Sequence, residues 1–169
     1  NTAIGKGALS ANTTGASNVA IGVQALTNPD IENHNTAIGT GSMNSSINGG
    51  EFNTAVGSTT LNNLTTADFV TAVGYEAGKA NTTGYSNVFI GADAGKANTE
   101  GFNNTFVGRG AGQANTTADS NTFIGDVAGG AVTTGGANIM IGHLAGDAFD
   151  TETNNLGIGK AALGGAIAG

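Results

Sequence analysis

The chain of 169 residues has no cysteine, no tryptophan and one proline, and its charged residues number only 12 acids and 5 bases. Without cysteine there is no disulfide framework and no thiolate metal site. Nine aromatic residues and two methionines are too few to fill an ordinary globular interior. Any core is therefore thin and built from small and β-branched side chains. The net charge of −7 and the pI near 4.4 argue against nucleic acid as a partner and against attraction to anionic lipid. No apolar run approaches the ~18 residues of a membrane span, so no membrane insertion is expected. What the chain has in excess is 30 Gly, 27 Ala, 23 Thr and 21 Asn, a bias that points to internal repetition.

The repetition is complete. The opening Asn1-Thr2-Ala3-Ile4-Gly5 returns at Asn18, Asn35, Asn53, Val70, Asn87, Asn104, Asn121, Asn138 and Asn155. Ten units thus begin at residues 1, 18, 35, 53, 70, 87, 104, 121, 138 and 155, and residues 1–169 form a single repeat domain. All steps are 17 residues except that from Asn35, which is 18, and the Gly49-Gly50 pair is the expected place for the extra residue. The sequence opens in mid-pattern at Asn1, as expected of an excerpt from a longer protein.

A unit this short cannot close its own core, and ten copies in register imply stacked coils. The fourth residue is Ile or Val in every unit, as a strand prefers, and the recurring Gly and Asn oppose helix. The expected fold is all-β, a parallel β-roll solenoid of ten 17-residue coils. Each coil should hold two short strands, the second carrying Ala8, Ala25 and their equivalents. At ~4.8 Å per coil the rod is roughly 45 to 50 Å long.

Alternation puts the second and fourth residues on one face of the strand and the first and third on the other. The third residue runs from Ala3 to Ala72 and then through Phe89, Phe106, Phe123 and Met140. An outward file of these four would be an apolar stripe that needs a cover, so they are the expected interface with other copies of the chain, its partner being itself. The threonine file, Thr2, Thr36, Thr54, Thr71, Thr105 and Thr122, then points inward with the Ile/Val row. Asn1, Asn18, Asn35, Asn53, Asn87, Asn104, Asn121, Asn138 and Asn155 are expected to stack as a structural amide ladder along the rod.

Units such as Ser17-Asn18-Val19-Ala20-Ile21-Gly22 resemble the head repeats of trimeric autotransporter adhesins. The Asn-Thr-Ala-Val-Gly units resemble still more closely the repeats of phage tail fibres and related bacterial surface fibres. The resemblance covers essentially the whole chain and implies a left-handed roll, a homotrimeric fibre, and a role as shaft or receptor-binding head. It also implies an extracellular place on a bacterial surface or a virion, with a host-surface glycan or protein receptor as a further partner.

Catalysis finds little support in the sequence, and no enzyme activity or cofactor is expected. His34 and His143 lie more than six coils apart, roughly 30 Å along the rod. Glu76 and Asp93, at the seventh position of adjacent coils, are the one pair of carboxylates that a glycosidase would need close together. Two alternatives from another class remain: a calcium-stabilised extracellular solenoid, for which the stray acids are Asp147, Asp150 and Glu152, and an ice-binding solenoid ordering water on its threonine file. The triplets beginning at Asn12, Asn44, Asn63, Asn81, Asn103 and Asn115 have the form of N-glycosylation acceptors, which repetition alone accounts for.

Overall fold

The computed structural model describes residues 1–27, 31–45 and 48–165. Each coil contributes one three-residue strand: β1 (Thr2–Ile4), β2 (Val19–Ile21), β3 (Thr36–Ile38), β4 (Thr54–Val56), β5 (Thr71–Val73), β6 (Val88–Ile90), β7 (Thr105–Val107), β8 (Thr122–Ile124), β9 (Ile139–Ile141) and β10 (Leu156–Ile158). The ten form a single parallel sheet in chain order. Register is unshifted, with Ala3 beside Ala20 and Phe106 beside Phe123. The molecule is an all-β parallel solenoid of ten coils, as its periodicity implies.

The strand ends at the fifth residue. Gly108 has φ +136°, and a Cβ there would lie 2.3 Å from the carbonyl oxygen of Gly125 in the next coil. Conformation and space both demand glycine.

The second strand expected along the Ala8 row is not there. The seventh and ninth residues of each coil are left-handed, as at Glu76 (φ 53°) and Leu26 (φ 46°), and a backbone that reverses twice within three residues cannot stay extended. The segment is a stack of turns. Ala111 N–H donates to Gly108 within the coil (3.3 Å), and Gly112 N–H to Ala128 in the next (2.9 Å), so the backbone is satisfied without a second sheet.

The core lies between the third residue on the strand and the eighth and ninth on the turn stack. Ala20, Ala37, Ala55, Ala72, Phe89, Phe106, Phe123 and Met140 are all fully buried. The facing ninth residue varies in the opposite sense: Leu26, Met43 and Leu61 face alanines, whereas Gly95, Gly112 and Gly129 face phenylalanines. A Cβ on Gly112 would lie 2.6 Å from the Phe106 ring, and one on Gly129 would lie 2.5 Å from that of Phe123. The rod thus exchanges an Ala/Leu or Ala/Met filling, up to β4, for a Phe/Gly filling from β6 on, at similar total volume. The coil of β5 between them pairs Ala72 with Gly78, beside which the Phe89 ring and Leu61 lie. In the first filling a left-handed leucine costs roughly 1 to 2 kcal/mol, which its burial, worth about 1.5 to 3 kcal/mol, offsets.

The extra residue of the third coil lies upstream of the glycine pair. Gly50 C=O already accepts from Asn35 Nδ2 (2.9 Å), the role that the fifteenth residue plays elsewhere. Asn48 N–H donates to Thr65 C=O in the next coil (2.8 Å). The addition therefore falls between Met43 and Asn48, and Thr36 still pairs with Thr54.

Candidate functional surface

Strand alternation with the third residue inside sends the second and fourth outward. Phe89, Phe106, Phe123 and Met140, expected as the trimer interface, are instead the interior of the single chain, each at 0 % exposure. The assignment of the two faces is inverted. The physical reason is the glycine opposite each of these large side chains, which leaves room for a ring that alanine coils lack. The outward face carries the threonine file and the Ile/Val row: Val73, Ile90 and Ile124 are exposed on it, and Thr71, Thr105 and Thr122 half-exposed. Across all ten strands no second or fourth residue is charged.

The first-position asparagines stack from coil to coil, but except at the last rung they bond to backbone and not amide to amide. Asn121 Nδ2 donates to Gly135 C=O in its own coil (2.9 Å), and its Oδ1 accepts Asn138 N–H of the next coil (2.8 Å). Asn18, Asn35, Asn53, Asn87 and Asn104 offer Oδ1 in the same way, as to Asn35 N–H and Asn104 N–H (both 2.9 Å). Each asparagine closes one coil and ties it to the following one. Asn1 and Asn138 do the same, and at the last rung Asn155 Nδ2 donates to Asn138 Oδ1 (3.0 Å).

Val70 breaks this series. Its own N–H donates to Asn53 Oδ1 (2.9 Å), but it has no side-chain oxygen to offer Asn87. Val70→Asn is therefore expected to stabilise the rod by about 1 kcal/mol, the net worth of one buried hydrogen bond. A urea midpoint at or below that of the parent chain would contradict this account of the ladder.

The other singled-out residues do not gather into a site. Glu76 and Asp93 are not an acid pair but alternate with two lysines: Glu76 binds Lys79 (2.7 Å) and Lys96 (2.6 Å), and Lys96 also binds Asp93 (3.0 Å). The Lys79 and Lys96 ammonium groups hold the Glu76 carboxyl at about 2, well below the usual range, with the Tyr75 hydroxyl assisting; Glu76 first, then Asp93, raises Lys96 in turn. A depressed carboxyl contributes stability in full above its unfolded value, about 4.5, and loses it as pH falls toward 2. Glu76→Gln is thus expected to lower the melting temperature at pH 7, with the difference from the parent shrinking between pH 4.5 and 2. A gap independent of pH would show that the side chain acts by packing.

His34 stacks on Phe52 (centroids 4.9 Å). His143 Nε2 lies 3.5 Å from Asp126, which already holds Arg109 at 2.8 Å. Glu152 accepts the backbone N–H groups of Asp150 and Thr151 (2.8 and 3.0 Å), a local turn whose donors, Asp150 foremost, lower its pKa. Among the described residues no three His, Asp or Glu side chains come together as a metal site. Among the described residues no helix is long and apolar enough to cross a membrane. Asn81 and Asn115 are fully buried, Asn63 and Asn103 exposed, and the Asn44 triplet ends on Ser46, outside the described residues.

No family model matches the chain, and comparison with curated proteins and with solved structures finds none similar to it. Function has to be read from the surface itself. Sequence reasoning missed the outward rows although a signal was present: the third and ninth residues vary reciprocally in size, as only residues in contact need to.

Proposed function

We propose that this chain is a segment of a homotrimeric surface or tail fibre, acting as shaft or receptor-binding head outside the cell, with subunits packed through the outer strand face. The observation that carries the reading is that face: twenty outward residues over ten coils, none charged, with Ile and Val in the fourth-position row. Soluble monomers avoid a continuous stripe of this kind, and parallel strands usually have both faces covered. The interface then consists of Ile90, Val107, Ile124, Ile141 and their neighbours in place of the buried phenylalanines. The threefold order and a left-handed winding follow from the fibre resemblance. A non-enzymatic role fits the pairing of Glu76 and Asp93 with lysines. Sedimentation tests the proposal: the parent should run as a trimer and a folded Ile124→Asp variant as a smaller species, because three carboxylates would meet without partners. A monomeric parent at micromolar concentration would overturn it.

The outward threonines favour a second reading, in which the face stays bare and orders water as an ice-binding surface. One face cannot serve both roles. A monomer that shows thermal hysteresis in freezing assays would establish the second. A calcium-stabilised rod has no comparable arrangement in its favour.

A further inference from the structure

The outer face has two unlike edges. Its leading edge carries the seventeenth residue of the preceding coil, and its trailing edge the sixth residue of the coil itself. On β5 these are Phe69 and Tyr75, the most exposed phenylalanine and the most exposed tyrosine at 60 % and 55 %. They lie in one outward stripe, Phe69, Thr71, Val73, Tyr75, that alternates with the buried Val70 and Ala72. One side of the Phe69 ring rests on Phe52 (centroids 5.4 Å). The next residue along that edge is Ser86, too small to cover the other side. Within one chain the two rings do not meet, since they sit two residues beyond either end of the strand Thr71–Val73, which by itself spans about 7 Å.

We propose that Phe69 packs against Tyr75 of a second copy, so that the leading edge of β5 in one subunit meets the trailing edge of β5 in the next. The subunits are then parallel and in register around a closed ring. This rests on the self-association proposed above and adds its register and its central contact. Cyclic closure brings unlike edges together in this way, and aromatic pairs contribute beyond the area that they bury. The remaining strands accept the same register. Asn103 comes to face Arg109, Ser120 to face Asp126, and Asn154 to face Lys160, so these three charges each meet a neutral hydrogen-bonding side chain and none meets its like. A shift of one coil would set Tyr75 against Phe52 instead, but a closed ring admits no such shift between its subunits.

The absence of native cysteine makes the test direct. In a Phe69→Cys/Tyr75→Cys double variant of the full chain, the two thiols are too distant to pair within a subunit, because a disulfide needs Cα atoms no more than about 7 Å apart. Oxidation should convert the folded variant to a covalent trimer on a denaturing gel, and neither single variant should give any product. Covalent dimers from a single variant would mean that like edges meet, and would overturn the proposal. Trimeric sedimentation with no cross-link in the double variant would overturn this contact and register while leaving the fibre reading standing. A monomeric parent would overturn both, and a product that stops at the dimer would exclude threefold closure. Circular dichroism matching the parent shows that the variants compared are folded.

Discussion

Phe106→Ala is expected to destabilise the rod by about 3 to 5 kcal/mol, and adding Gly112→Leu to that variant is expected to restore more than half of the loss. Phe106 is fully buried and lies between Phe89 and Phe123, at centroid distances of 5.5 and 4.9 Å. Truncation leaves a cavity that the hydrogen-bonded coils on either side cannot close. Gly112→Leu alone should also destabilise, by roughly 1 to 3 kcal/mol, because its Cβ falls 2.6 Å from the same ring. Together the two substitutions recreate the Ala20/Leu26 filling of the second coil, where a left-handed leucine is already native. Urea unfolding of the four proteins in a double-mutant cycle gives the coupling directly. Losses that simply add would mean that the two halves of the rod do not share one core geometry.

Gly108→Ala should be nearly as damaging for a different reason. A Cβ 2.3 Å from the Gly125 carbonyl oxygen has no flexible neighbour to displace, since the obstacle is backbone of the next coil. Together with the unfavourable φ of +136°, the overlap should cost about 3 kcal/mol or more. Because each coil touches only its neighbours, the damage stays at the β7–β8 step, and cooperativity across that step weakens. Hydrogen exchange should then report two blocks of unequal protection meeting there. Uniform protection at the parent level throughout the rod would show that the coils can part at no cost.

The periodicity shows the coil length, the number of coils and the parallel stacking, because a β-branched residue followed by glycine in ten units allows few other solutions. The second strand of each coil was not legible. Alanine at the eighth position is compatible with strand and with turn, and the left-handed seventh residue is Glu, Asp, Thr or Gln as readily as Gly. Face assignment failed on a weaker inference, that large apolar side chains in a narrow roll must point out. The glycines opposite them show the contrary once the third and ninth residues are compared. Asparagine at the first position was readable as a stack, but not the division of its amide between closing one coil and holding the next, which depends on where Gly135 and its equivalents come to lie. The stacked edge of His34, Phe52 and Phe69 did carry a sequence signal, since each residue directly precedes the first position of a unit once the 18-residue coil is aligned with its neighbours.

That longer coil has a consequence for how such rods diversify. One residue enters between Met43 and Asn48, yet the strands before and after keep their partners and Asn35 still reaches the carbonyl that closes its coil. The corner is thus a place where length can drift while the scaffold does not. Whole loops grafted there would project sideways from a rigid, evenly ruled stem, each coil a separate address about 4.8 Å from the next. A lineage could change what its rod displays by lengthening single corners, leaving untouched the stacking of the coils.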